Sequence, residues 1–153
     1  MGDQTGFDLT KRATYGLFTP VTIRFSDTDA LGHVNNVATA AYVEAARCEL
    51  FYKLMREGEL DDRGSGEEKI DFVLARVAID YRKEFFYPGT VEVGARFTRV
   101  GNRSIGTGYG VFIGDTCHAT AECVNVFFDL VSRRPVAPPP KVRALLEAAI
   151  AGR

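Results

Sequence analysis

Tryptophan is absent from this 153-residue sequence, and both cysteine and histidine are scarce. The three cysteines, Cys48, Cys117 and Cys123, are odd in number and lack C-x-x-C spacing, which is typical of reduced thiols in a cytoplasmic protein. His33 and His118 are the only imidazoles, and His118, beside Cys117 in a strand-like segment, is expected to be a plain surface or interface residue. Because a structural zinc site needs closely spaced Cys and His ligands, we expect no metal site.

Long apolar runs and an excess of one charge are also missing. No apolar stretch approaches the ~18 residues that would predict a membrane span. The first 16 residues lack the apolar core of a secretory signal, so none is expected. Lys and Arg total 19 against 20 Asp and Glu, giving a net charge of −1. Since nucleic-acid-binding proteins normally carry a clear basic excess, the charge balance argues against that class.

The residues that are present predict one globular domain. Apolar residues make up 46% of the chain and charged residues 25%, and a chain of this length can bury a sizeable core. We divide it into a polar, loosely held lead-in (1–19), a single domain (20–140) and a short amphipathic C-terminal helix (141–153).

Hydrophobic periodicity then predicts a strand, a loop and a long helix. Apolar and polar residues alternate over 21–25, which predicts a strand with Phe25 facing inward, and Asp, Gly and Asn punctuate the loop 26–36. Asn35 or Asn36 is placed to cap the following helix, and Gly58 to end it. The helix's predicted buried stripe consists of Val37, Ala41, Ala45, Cys48, Tyr52 and Met55.

Four long strand-like segments follow a charged loop, over residues 72–86, 90–100, 104–113 and 116–129. Gly114-Asp115 predicts a two-residue hairpin turn. The last segment is apolar on both faces, so we expect it in the middle of the sheet or at an interface. Alternating glycines in the third segment leave one face bare, which would admit a ligand chain or a neighbouring backbone. Long antiparallel strands and one long helix predict an α+β fold with a curved sheet around the helix.

Polar chemistry is concentrated in the loop before the helix, which holds Asp27, Asp29, His33, Asn35 and Asn36. A carboxylate near a helix start lies close to unpaired backbone amides and to the positive end of the helix dipole. Such amides can hold an oxyanion while the carboxylate attacks or deprotonates water. The ordinary alternative is structural, because Asp and Asn also favour turns and helix caps. Asp27 in particular fits a role in holding the loop.

These residues also carry a family resemblance. RFSDTDALGHVNN followed by YVEAAR resembles the signature of the 4-hydroxybenzoyl-CoA thioesterase-like branch of the hotdog-fold acyl-CoA thioesterases, and the likeness extends over about residues 20–140. The resemblance implies a five-stranded curved antiparallel sheet wrapped around one long central helix. It also implies a homodimer or homotetramer whose active site is shared by two chains. CoA would enter as part of the substrate, with no separate cofactor.

The resemblance assigns catalysis to Asp29, to the amide of Asn36 and, through water or the loop, to His33. Leu31 stands where acyl-carrier-protein thioesterases of similar motif have Asn, and Thr39 stands where relatives usually have Tyr. The remaining substrate-binding residues that the resemblance implies are Gly32, Val34, Asn35, Thr39, Arg103 and Ser104.

Two further groups of residues have both a functional and an ordinary interpretation. Glu44, on the helix, is the runner-up base, although an ion pair with Arg47 three positions later, or with a strand arginine, is the favoured interpretation. Arg103, beside a hairpin turn, could bind CoA phosphates or be a solvated charge. Arg99, Arg82 and Lys83 have the same two interpretations.

The leading hypothesis is an acyl-CoA thioesterase that releases a free acid and CoA, with Asp29 as nucleophile or general base. The alternatives are a non-catalytic acyl-thioester binding protein and an acyl-carrier-protein thioesterase on the same fold. A hotdog hydratase is disfavoured because Asp29 and His33 do not have the D-x-N-x-x-H spacing. No G-x-S-x-G elbow is present, which excludes the serine-hydrolase type of thioesterase.

Overall fold

The computed structural model describes residues 5–60 and 69–152. Five long antiparallel strands form one curled sheet in the order β1-β3-β4-β5-β2, with a long helix, α1, against it. The predicted α+β fold, a five-stranded sheet around one long helix, is confirmed. The elements are β1 (Leu17–Thr22), α1 (Asn36–Glu57), β2 (Ile70–Tyr81), β3 (Thr90–Val100), β4 (Ser104–Ile113), β5 (Thr116–Asp129), the two-residue β6 (Arg134–Pro135), which pairs with β5, and α2 (Pro140–Ala151).

Helix α1 begins and ends at the residues that its caps dictate. The Asn35 side chain accepts a hydrogen bond from the Ala38 amide at 2.7 Å, which makes Asn35 the N-cap and Asn36 the first helical residue. The helix ends before Gly58, whose amide donates to the Leu54 carbonyl at 2.8 Å. A Cβ at Gly58 would lie 2.7 Å from Val142, so this glycine also lets α2 approach closely.

The buried face of α1 differs from the predicted stripe. Val37 is 80% exposed and Tyr52 is 60% exposed, and Cys48 is exposed as well. The buried residues of α1 are Ala38, Thr39, Tyr42, Val43, Ala46, Leu50, Phe51, Leu54 and Met55, of which only Met55 belongs to the predicted stripe. Because α1 is apolar on two faces, periodicity alone could not tell which of them lies over β1, β3 and β4. Within the described ranges, no helix combines the length and apolar character needed to cross a membrane.

The first two strands also depart from their predicted limits. Strand β1 ends at Thr22, and a short turn follows in which Phe25 is exposed rather than buried. Strand β2 ends at Tyr81, five residues early, because the next amides turn toward other partners. The amides of Arg82 and Lys83 both donate to the His118 carbonyl, so the chain leaves the regular ladder there.

Strand β5 lies between β4 and β2, so the prediction of a central strand is confirmed. Its apolar character on both faces follows from that position. The hairpin between β4 and β5 pairs Ile113 with Thr116, leaving the predicted two-residue turn with Gly114 at a φ of 59°.

The N-terminal segment packs against the outer face of the sheet, so the expectation of a loosely held lead-in is wrong for its described part. Leu9 and Tyr15 are buried there with Phe112, and the Tyr15 hydroxyl donates to the Leu9 carbonyl at 2.7 Å. Glycines make the room: a Cβ at Gly94 would lie 2.5 Å from the Tyr15 ring, and one at Gly110 would lie 2.8 Å from the Leu9 carbonyl. The bare face expected from the glycines therefore admits the chain's own N-terminal segment.

Adding a methyl group at Gly110 should destabilise the fold, because the new Cβ would press on the Leu9 backbone and the Phe112 ring. We expect Gly110→Ala to lower the free energy of unfolding by about 1–3 kcal/mol in urea denaturation. Gly16→Ala is the matched control, since nothing lies within 4 Å of a Cβ there. Equal stability of the two variants would contradict the packing described.

Candidate active site

A buried carboxylate holds the loop between β1 and α1 in place. Asp27 is 3% exposed, and its Oδ2 accepts hydrogen bonds from the Tyr42 hydroxyl at 2.6 Å and the Arg24 amide at 2.9 Å. Its Oδ1 pairs with the Arg24 guanidinium at 3.0 Å. The Asp27 carbonyl accepts from the Asn35 amide at 2.8 Å. One residue thus ties the start of the loop, the helix cap and the second turn of α1 together.

These contacts determine the charge state of Asp27. Burial by itself raises the pKa of this carboxyl, but the hydrogen bonds from Tyr42 and Arg24 outweigh burial and hold the pKa below its ordinary value. Burial and the neighbouring carboxylate raise the pKa of Tyr42, so the phenol remains a hydrogen-bond donor. Asp27 is therefore an ionised structural anchor, as expected for a loop-holding residue.

Asp29 lies at the exposed tip of the same loop with one oxygen engaged. Its Oδ1 accepts from the backbone amides of Leu31 at 2.9 Å and His33 at 3.1 Å. Gly32, at a φ of +83°, closes the turn by donating its amide to the Asp29 carbonyl at 3.0 Å. No residue in the described part of the chain hydrogen-bonds the second carboxylate oxygen. The loop therefore fixes the orientation of the carboxylate and leaves one oxygen open.

Asp29 lines a cleft of about 260 Å³ at the start of α1. Asp29, His33, Asn36 and Thr39 all line this cleft, so the structure brings together these residues of the predicted site. The Asn35 cap satisfies the Ala38 amide, whereas the amides of Asn36 and Val37 have no acceptor within the helix. The arrangement places hydrogen-bond donors and a carboxylate around one space.

The His33 ring turns away from Asp29. Its Nε2 lies 2.9 Å from Glu84 Oε2, and the ring packs edge-on against Phe86 at 5.2 Å between centroids. Only the backbone amide of His33 contacts the Asp29 side chain. The ring therefore ties the loop to the segment after β2, and a role in orienting water remains a prediction.

The cleft contains a histidine that the sequence did not single out. His118 was assigned to a plain surface or interface position, but it is buried and lines the cleft. Its Nδ1 lies 3.2 Å from the carbonyls of Lys83 and Glu84, to which Nδ1–H can donate. The only available signal was a histidine within a strand that is otherwise apolar on both faces.

The basic residues singled out for CoA fall at two places. Arg82 and Lys83 line the cleft beside Asp29. Arg103 and Ser104 lie at the β3–β4 turn, where Ser104 pairs with Val126. Val126 in turn pairs with Val73 of β2, so Ser104 lies level with Val73 across the sheet. The cleft lies at Tyr81, eight residues further along β2. At about 3.3 Å per strand residue these points are roughly 26 Å apart, so one protomer does not bring them together.

Exposed apolar side chains lie on α1 and β2 next to the cleft, and we call the space between them the groove. The helix contributes Val37 and Tyr52, and the strand contributes Leu74, Val77 and Tyr81. The Tyr81 hydroxyl donates to the Asn36 carbonyl at 3.2 Å and so closes the strand onto the helix at the cleft. The helix face predicted to be buried is therefore one wall of this groove.

Comparison with known proteins identifies the family. The sequence profile of the thioesterase-like superfamily matches residues 23–146, and the chain therefore belongs to this superfamily. A Thermus thermophilus thioesterase complexed with coenzyme A and Zn is 29% identical with a TM-score of 0.75, covering 91% of this chain and 96% of that one. A predicted thioesterase from Bacillus stearothermophilus is 28% identical with a TM-score of 0.74, covering 87% and 95%.

A curated relative, the uncharacterized protein YsmA of Bacillus subtilis, is 31% identical over 86 residues. The match covers 55% of this chain and spans 57% of that protein's length. Together with the superfamily match, the structural neighbours support thioesterase chemistry in general. Within residues 5–60 and 69–152, no three His, Cys, Asp or Glu side chains are grouped so as to hold a metal ion.

Replacing Asp27 should destabilise the fold in a pH-dependent way. Asp27→Asn removes charge-assisted hydrogen bonds to Tyr42 and Arg24, so we expect a loss of about 1–3 kcal/mol at neutral pH. Because the folded-state pKa is lowered, this stabilisation exists above the ordinary Asp pKa near 4 and disappears as pH falls through the lowered value. The difference between wild type and Asp27→Asn in urea denaturation should therefore shrink below about pH 4. A pH-independent difference would contradict an ionised anchor, and Tyr42→Phe should reproduce part of the loss.

Proposed function

We propose that the protein is an acyl-CoA thioesterase with Asp29 as the reactive carboxylate. The observation that carries the proposal is the cleft at the start of α1, which Asp29 and Asn36 line together. A thioester hydrolase needs a group that activates or replaces water and donors for the carbonyl oxygen. The open oxygen of Asp29 supplies the first, and the first-turn amides of α1 supply the second.

Two routes use the same geometry. As a general base, Asp29 takes a proton from water while the water oxygen attacks the thioester carbonyl carbon. As a nucleophile, an Asp29 oxygen attacks that carbon and forms a mixed anhydride, which water then hydrolyses. In both routes the carbonyl oxygen becomes an oxyanion held by the amides at Asn36 and Val37, the C–S bond breaks, and the CoA thiolate takes up a proton.

The surroundings of the cleft fit the two halves of such a substrate. Arg82 and Lys83 line the cleft and offer cations to the phosphates of CoA. The groove between α1 and β2 offers apolar walls for the acyl group. The Thermus relative was solved with coenzyme A, which supports a ligand of this type here.

We propose further that two protomers pair along the free edge of β2. This strand has 12 residues, pairs only with β5 among the described strands, and exposes residues 73–77 without interruption. A long apolar edge invites pairing with another strand, and a second copy of β2 in antiparallel orientation would satisfy it. The two-fold axis would then bring the partner's β3–β4 turn, with Arg103, toward the Asp29 cleft.

Replacing Asp29 tests the chemistry directly. Asp29→Asn keeps the shape but removes the charge and the nucleophile, so kcat for a reactive CoA thioester should fall at least ~10²- to 10⁴-fold while substrate still binds. Asp27→Asn should lose less kcat at a temperature where it is folded, because Asp27 holds the loop. Free-thiol release is the measurement.

Two results would overturn the assignment. If Asp29→Asn keeps near-normal kcat and Glu44→Gln is inactive, the helix carboxylate does the chemistry. If wild type releases no thiol from any thioester but binds them, the protein is an acyl-thioester binding module. Release from acyl-carrier-protein thioesters but not from CoA thioesters would change the substrate class.

Mixing variants tests whether a site is shared between protomers. Arg103→Ala should raise KM about tenfold with little change in kcat, because a phosphate contact is common to ground and transition states. A pantetheine thioester, which lacks the nucleotide phosphates, should be insensitive to the change.

Coexpression of the Arg103→Ala and Asp29→Asn variants in equal amounts gives mixed dimers. If the site is shared, each mixed dimer has one intact site and one site that carries both changes. At substrate concentrations well below KM, the coexpressed mixture should then have about a quarter of the wild-type activity. If each protomer forms its own site, the mixture should have about a twentieth.

The mixing result depends on assembly, which sedimentation reports separately. A species of monomer mass at micromolar concentration would contradict the dimer. If the mixture sediments as a dimer but has only about a twentieth of the wild-type activity, the partner's β3–β4 turn does not contribute Arg103 to the cleft.

A further inference from the structure

We propose that the far end of the groove is a recognition site for a hydroxyl group carried at the distal end of a medium-chain acyl substrate. This inference rests on the proposed function, because it describes the end of the acyl group opposite the thioester. It concerns a second cavity of about 330 Å³, between the second half of α1 and the start of β2. Phe51, Met55, Phe72 and Leu74 give this cavity apolar walls.

The floor of the cavity holds a buried donor that lacks a partner. Asn125 of β5 is 2% exposed, and its Nδ2 has no hydrogen-bond partner in the described part of the chain. Burying an amide donor without an acceptor is unfavourable, so such groups in a cavity commonly face a ligand or water. An unpaired donor thus lies beneath α1 in an otherwise apolar layer.

Arg47 adds further donors to the same place. Its side chain is only 13% exposed, and the contacts it makes are weak. One guanidinium nitrogen lies 4.0 Å from the Cys123 sulfur, a poor acceptor, and another lies 3.4 Å from Glu44, whose carboxylate is mostly in solvent. A guanidinium has five N–H donors, so most of its capacity remains for a group within the cavity.

The charges around the cavity favour a hydroxyl over a carboxylate. Arg47 contributes one positive charge, whereas Glu44 and Asp71 place two carboxylates on the lining. A carboxylate ligand would meet that negative excess. A hydroxyl can accept from Asn125 and Arg47 and donate to a carboxylate, which satisfies both kinds of group.

The position of the cavity sets the size of the acyl group. Asn36, at the cleft, and Arg47, at the cavity, are 11 residues apart in α1, or roughly 16 Å at 1.5 Å per residue. Helical side chains lean toward the N-terminus, so the polar groups lie somewhat nearer the cleft. The apolar groove between these points would hold the methylene chain. An acyl group that is short, or that consists of a single aromatic ring, would end before it reaches the polar site.

The experiment compares CoA thioesters in matched pairs, a medium-chain acyl group with and without a terminal hydroxyl. We expect wild type to prefer the hydroxylated ester by at least about tenfold in kcat/KM, because the alkyl ester leaves buried donors unpaired. Asn125→Leu, of similar size but without donors, should abolish this preference, and Arg47→Met should reduce it. Lys53→Met, which removes a cation from an exposed position of the same helix, is the matched control and should keep the preference.

The ratio of the two esters separates this inference from the proposed function. Efficient turnover with equal or better use of the alkyl ester would overturn the hydroxyl site and leave the thioesterase intact. Preference for a terminal carboxylate would overturn the choice of ligand. If no thioester is cleaved, the proposed function fails, and thermal stabilisation by the free hydroxy acid, lost in Asn125→Leu, still tests the site. Arg47→Met, which removes the guanidinium donors from the lining, serves if Asn125→Leu does not fold.

Discussion

The candidate site depends on one buried ionic contact, between Asp27 and its donors Tyr42 and Arg24. A carboxylate that is almost fully buried stays ionised only when several donors surround it, and here those donors come from the loop and from the second turn of α1. The same residue receives the Asn35 amide, so the cap of α1 is fixed relative to the loop. Asp29 and the first-turn amides are positioned by this anchor, although Asp27 itself lines no part of the cleft.

Much of the fold was readable from local patterns, and the exceptions share a physical cause. The limits of β3, β4 and β5 and the cap at Asn35 follow from turn residues and alternation, which act within a few positions. The wrong face of α1, the exposed Phe25 and the early end of β2 all depend on which neighbour covers a segment. Sequence periodicity indicates which faces of an element are apolar, but it does not indicate which other element packs on each face.

The site shows the same division. The motif placed Asp29, His33, Asn36 and Thr39 together because they are close in sequence and share one loop and helix start. His118 was missed because it reaches the cleft from a strand more than eighty residues away in the chain. Arg103 was grouped with the site on the strength of chemistry and resemblance, while the register of the sheet puts it at the opposite end of one protomer. Long-range pairing, which no local pattern encodes, accounts for both.

The N-terminal segment on the outer face of the sheet has a consequence for how the chain is made. Leu9 and Tyr15 leave the ribosome well before Gly94, Gly110 and Phe112, which form the surface that they cover. The surface that these two side chains cover is therefore complete only once β3 and β4 have paired. We therefore expect docking of the segment to follow the pairing of β3 and β4, because it closes the outer layer over those strands.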